Sequence, residues 1–142
     1  MKQIGIILSL CLLLAACSTE DDVNEIFCGK RFKITGLTYN GQKIVKDVKE
    51  FYAVDGTYWI SFSQMSVTGV LQSGMSVEGT WSADGGNRQL TIHLTSPSNS
   101  DGASDICNKV FNILKNATSY SGDSNVLRIK RDNSSYIELS SI

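Results

Sequence analysis

The chain has 142 residues, 13 basic and 14 acidic side chains and a single histidine, for a net charge of −1. That length bounds it to one domain, large enough to bury about two-thirds of its unfolded surface without extra staples. The near-neutral balance leaves no electrostatic footprint for nucleic acid.

Met1-Lys2-Gln3 forms a basic n-region, and Ile4 to Ala16 follows as an apolar stretch. Together they have the anatomy of a secretory signal peptide. The stretch falls short of the about 20 residues that a transmembrane helix needs. No later segment has that character, which excludes a polytopic protein. Leu14-Ala15-Ala16-Cys17 resembles a bacterial lipobox: small residues admit the peptidase, and the Cys17 thiol is the nucleophile that takes a diacylglyceryl group. Cleavage of residues 1–16 is expected to leave Cys17 as the membrane anchor, residues 17–27 as a flexible tether and residues 28–142 as the folded domain. Ser18-Thr19-Glu20-Asp21-Asp22 places no aspartate directly after the cysteine, which points to the outer membrane. The acidic run reads either as a solvated, self-repelling spacer or as a signal for display at the cell surface.

With Cys11 in the signal peptide and Cys17 lipidated, Cys28 and Cys107 remain. An even pair in an exported protein favours a disulfide, which loop-closure entropy values at roughly 4 kcal/mol for a loop of that length. Two free buried thiols are the alternative. Two cysteines and one histidine lack the spacing of a metal site.

Arg31 to Tyr39 alternates, with Phe32, Ile34 and Leu37 inward around Gly36 and the basic Lys30, Arg31 and Lys33 on a solvated face. Asn40-Gly41 signals a hairpin turn. Phe51–Val54 and Tyr58–Phe62 read as strands flanking Asp55-Gly56. Val67–Leu71 and Met75–Ala83 follow, separated by Ser73-Gly74, and Asp84-Gly85-Gly86-Asn87 turns into Gln89–Thr95. That last segment has period-2 alternation, placing Leu90, Ile92 and Leu94 inward and His93 outward. Pro97 opens a polar loop that ends at Ser104. The pattern then predicts a helix from Asp105 to Ala117, N-capped by Ser104, with an apolar stripe of Cys107, Val110, Phe111 and Leu114. After Gly122-Asp123, Val126–Lys130 pairs with Tyr136–Leu139 across Asp132-Asn133-Ser134. The predicted fold class is α+β, mostly β: a curled antiparallel meander or partly open barrel with one helix packed before the C-terminal hairpin.

The block "ICNKVFNILKNATSYSGDSNVLRIKRDNSSYIEL" and the opening "GKRFKITGLTYNGQKI" resemble the C-terminal signature and first strand of META domains, the HslJ-like family. The "GCN" segment of that family's middle region is absent. The resemblance implies a curled antiparallel sheet with a packed helix, and it carries over no catalytic residue.

No catalytic residue, cofactor or metal is expected from the residues themselves. His93 lacks a nucleophile and an orienting partner, and no G-x-S-x-G elbow occurs. Glu50, Asp55 and Glu78 are too scattered to nominate a hydrolytic pair, and Gly85-Gly86 is not followed by G-K-[ST]. Tyr52, Tyr58, Trp59 and Trp81 gather in the central strands, where they either line a concave face for a ligand or partner or form core. The expected function is that of a monomeric, non-catalytic envelope lipoprotein, lipid-anchored at the outer membrane and binding a protein or glycan partner or supporting the envelope. Two alternatives are an exported protease inhibitor acting through the loop 96–103, and a small-molecule carrier using the concave aromatic face.

Overall fold

The structure, a computed structural model, describes residues 22–45, 51, 56–72, 75–95 and 102–142. Among these residues nine strands form one antiparallel sheet: β1 Lys30–Tyr39, β2 Gln42–Val45, β3 Trp59–Phe62, β4 Ser66–Gln72, β5 Met75–Asp84, β6 Gln89–Leu94, β7 Ser119–Gly122, β8 Val126–Asp132 and β9 Ser135–Ser141. Helix α1 spans 22–27, and α2 spans Asp105–Lys115 between β6 and β7.

Strand β1 holds the topology together. Along one edge it pairs with β3 through Lys30–Lys33 and then with β2 through Leu37–Tyr39. Along the other it pairs with β9 from Phe32 to Thr38. The fold is α+β, mostly β, as expected, and the β1–β9 ladder closes the curled meander into an eight-stranded barrel, with β2 as an extra arm on β1. A register shift between Ile34 and Gly36 lets β1 curl while keeping its apolar set inside. Ile34 lies opposite Leu139, Leu37 lies opposite Ile137, and all four are buried. The β1–β2 hairpin turns on Asn40 (φ 50°) and Gly41 (φ 80°). These are the two positive angles that a type I′ turn demands and that Asn-Gly supplies at least cost.

The barrel is filled by its own side chains. Phe32, Ile60, Phe62, Leu71, Leu90, Leu127 and Leu139 are buried inside, each from the inward phase of its strand. Helix α2 closes one end. Ser104 caps it by accepting a bond from the Cys107 amide at 3.1 Å, Asp105 lies in its first turn and Lys115 in its last, which complements the dipole. Its buried residues are Cys107, Val110, Ile113 and Leu114. Ile113 therefore takes the place expected for Phe111, which is only partly buried. The helix docks on the far tips of the strands: Ser104 N donates to Gln72 Oε1 at the end of β4, and Cys107 Sγ meets Met75 Sδ at the start of β5 at 3.1 Å.

Helix α1 closes the opposite end. Phe27 is fully buried, its ring 5.1 Å from those of Phe62 and Trp81 and 5.0 Å from that of Tyr120. Gly29 N then donates to Phe62 O and leads the chain into β1. The domain thus begins within the segment expected to be tether, because Ile26 and Phe27 give a short acidic stretch a hydrophobic foot. The Tyr120 hydroxyl, beneath this helix, is buried with no partner among the described residues.

Three further expectations are corrected. Phe51 is helical rather than the start of a strand, and Tyr52 to Asp55 lie outside the described residues. Lys33 is buried, not solvated: its alternation is outward, but Thr57 covers it and accepts its Nζ through the backbone carbonyl. The Cys28–Cys107 bridge does not form. Cys28 sits at the α1 end, where its Sγ donates to Asn24 Oδ1. Cys107 is buried under α2 at the other end of the barrel, against Met75. Burial pushes the Cys107 thiol up to about 11.

Replacing Phe27 with Ala is expected to cost about 3–5 kcal/mol, because the cavity opens inside an aromatic cluster that cannot collapse. Chemical unfolding would measure it, and a loss under 1 kcal/mol would show that α1 is dispensable. Alkylation of native residues 18–142 is expected to label Cys28 alone, with Cys107 reacting only after unfolding. A mass lower by two hydrogens, restored by reductant, would show that the bridge forms after all.

Candidate functional site

The four aromatics proposed as a ligand face are not brought together. Tyr58 and Trp81 are buried. The Trp81 indole donates to Ser63 O at 2.8 Å, while burial raises the pKa of Tyr58, whose hydroxyl bonds to the Ser104 side chain. Trp59 points outward, with the Arg31 guanidinium 3.9 Å from its ring centroid and its indole bonded to Gly56 O. Tyr52 lies outside the described residues, as does most of the loop 96–103. The small-molecule carrier reading is left without its concave platform, since the inner face of the sheet is core. His93 stands exposed on the outer face opposite Thr80. Among the described residues no three His, Cys, Asp or Glu side chains gather as metal ligands would, and no helix is long and apolar enough to cross a membrane.

Among the described residues, the densest polar constellation lies at the α2 end and centres on Arg131. Its Nη1 donates to Asn112 Oδ1 at 2.7 Å and to Tyr39 Oη at 3.1 Å. Its Nη2 donates to Ser135 Oγ at 2.9 Å and to Asn40 Oδ1 at 3.1 Å, and its Nε donates to Asp132 Oδ2 at 3.0 Å. All five N–H groups of the guanidinium fork are engaged. A register shift between Lys130 and Asp132 turns Arg131 out of the strand alternation and over the barrel end. There it joins the β1–β2 turn, α2 and the β8–β9 turn. Gly41 N to Ser134 O (2.8 Å) and Asn40 N to Ser135 Oγ (2.9 Å) complete the junction.

Tyr39 carries the network to the surface. The Arg131 guanidinium stacks 4.8 Å from its ring centroid on one side, and Lys109 Nζ stands 5.6 Å away. Beside it opens a crevice of about 380 Å³ lined by Tyr39, Asp105, Asn108, Lys109 and Asn112. Lys109 pairs with Asp105 one turn back on α2. The crevice is therefore charge-balanced and offers amide and hydroxyl groups next to an aromatic edge, a lining suited to a polar neutral group. Below it, the Ser134 hydroxyl and amide together with Arg131 hold the Asp132 carboxyl down at about 2. A depressed folded-state pKa means that Asp132 supports the fold above the ordinary carboxylate range, a contribution lost as pH falls through about 2.

A second groove of about 360 Å³ runs over the outer face of β4 and β5, lined by Ser66, Val67, Thr68, Glu78, Gly79, Thr80 and Thr95. The sequence offered no sign of the Arg131 node. Tyr39, Asn112 and Arg131 are far apart in the chain, and the bulge that aims Arg131 has no local signature. Asn40 and Asp132 stand out in the sequence only as turn residues, Asn40 in Asn-Gly and Asp132 in Asp-Asn-Ser.

A family profile described as a domain of unknown function, DUF4847, matches residues 18–140. Among solved structures, a crystal structure of a DUF4847 family protein from Bacteroides vulgatus is similar, with a TM-score of 0.68 and 24% identity. The match covers 83% of this chain and 96% of that one. No curated protein matches. The META-domain resemblance is thereby corrected. The features that carried it are an Asn-Gly hairpin, a capped helix and a Gly-Asp turn into a closing β-hairpin, and antiparallel barrels use these whatever their family.

Replacing Arg131 with Met is expected to lower stability by about 2 kcal/mol, since it strips a shared charged donor from five neighbours. Arg131→Lys should recover little, because one ammonium cannot span acceptors arranged for a planar fork. Denaturant midpoints report both, and a wild-type midpoint for the Lys variant would show that the fork geometry is immaterial.

Proposed function

The chain belongs to the DUF4847 family, and on that footing we propose that it is a non-catalytic binding module of the bacterial cell envelope, lipid-anchored through Cys17 at the outer membrane. The observation that carries this reading is a barrel packed solid and plugged by a helix at each end, which leaves the exterior for any partner. The lipobox-like Leu14-Ala15-Ala16-Cys17 supplies the address.

The crevice beside Tyr39 is the contact surface favoured by its lining. Its concavity, its paired charges and its Asn108 and Asn112 amides suit hydrogen bonding to a glycan or to the polar backbone of a protein partner. Ordered by Arg131 before any partner arrives, it would lose little freedom on binding.

Two arms of one experiment test the reading. Cys17→Ala is expected to abolish the diacylglyceryl mass on the N-terminal peptide and to deplete the protein from the outer-membrane fraction. An unchanged fraction would remove the anchor from the proposal. The mature domain immobilised over envelope extract should retain a glycan or protein that Asn108→Arg no longer retains, with the melting temperature unaltered because Asn108 is exposed. Retention indifferent to Asn108→Arg would move the contact elsewhere.

A further inference from the structure

Three large apolar side chains are exposed among the described residues: Met65 at 77%, Ile142 at 68% and Val126 at 60%. Singly exposed apolar residues need no explanation, but these three share one end of the barrel. Met65 lies in the β3–β4 turn, beside Trp81, whose amide donates to Met65 O. Val126 opens β8 just after the β7–β8 turn, opposite Ser140. Ile142 follows β9 and its amide donates to Arg31 O at the start of β1. This is the end plugged by Phe27, and so the end from which the chain runs back toward Cys17.

Covalent reach then limits the arrangement. From Cys17 to Asp22, where the described fold begins, five residues span at most about 18 Å even when fully extended. We propose that the α1 end of the barrel rests on the lipid surface, with Met65, Val126 and Ile142 entering the headgroup layer. The charges on this side of the domain are net acidic: Glu20, Asp21, Asp22, Glu25, Asp84 and Asp123 against Lys30, Arg31 and Arg88. That suits a zwitterionic leaflet better than a strongly anionic one. Three side chains entering the interface by the few ångströms typical of peripheral contacts would fix the barrel's tilt, which the lipid alone leaves free. At about 3.3 Å per residue and the usual strand tilt, the climb of β1 from Lys30 to Tyr39 holds the polar crevice about 20 Å above the contact.

The inference rests on lipid attachment at Cys17, and its test separates the two. A photo-reactive benzophenone side chain is placed at position 65, at 126 or, as the far-end comparison, at the exposed Asn133 in the β8–β9 turn. Each lipidated chain is reconstituted in phosphatidylethanolamine-rich vesicles and irradiated, and the N-terminal peptide is weighed in the same sample to establish the lipid. With the lipid present, phospholipid adducts are expected from positions 65 and 126 and none above background from 133. Equal adducts from all three positions, adducts from 133 alone, or none from 65 and 126 would overturn the orientation. An N-terminal peptide without lipid would overturn the anchor instead.

Discussion

The pairing of β1 with β9 is the constraint on which the rest of the molecule depends. From Phe32 to Thr38 the first strand finds its second neighbour in the last, and the sheet has no open edge along that seam. Closure at eight strands leaves an interior just wide enough for side chains. Phe32, Ile34, Leu37, Ile60 and Leu127 fill it, and the plugs Phe27 and α2 follow from the need to cover two apolar mouths. An open curl would have left a concave face wet and available. The closed form spends the same residues on core and moves recognition outside.

The α2 end shows how such a plug is held in register. A helix on a barrel mouth meets strand tips whose last carbonyls and amides have no ladder partners. Arg131 ties the elements together there through their side chains, binding Asn112 on the helix, Tyr39 and Asn40 from one hairpin, and Ser135 from another. A planar fork with five donors serves several acceptors at once where a point charge would serve one or two. The crevice alongside owes its fixed shape to this arrangement.

Much of the fold was legible because period-2 alternation and turn chemistry are local. The Asn40-Gly41 angles, the inward set Leu90 and Ile92, and the Ser104 cap all stand where the residues placed them. What stayed hidden depends on distant neighbours. β7 is four residues, Ser-Tyr-Ser-Gly, with one apolar side chain, and it becomes a strand only because β8 lies beside it. Residues 22–27 read as polar tether because the cluster that receives Phe27 comes from three separate strands. The cysteine pairing came from compartment chemistry, which says nothing of which end of a barrel each thiol occupies. The Arg131 node joins residues that no spacing rule connects.

The same closing seam has a temporal consequence. Leu37 pairs with Ile137, about a hundred residues later in the chain, so the contact that seals the barrel is among the most sequence-distant it makes. Contacts of that kind form late, because the loop entropy is lost before the ladder returns it. Until β9 arrives, one edge of β1 has no ladder partner, with Phe32, Ile34 and Leu37 beside it. The strand that begins the barrel is the last to be completed, and the interval before closure is when this molecule is most exposed to pairing with the wrong chain.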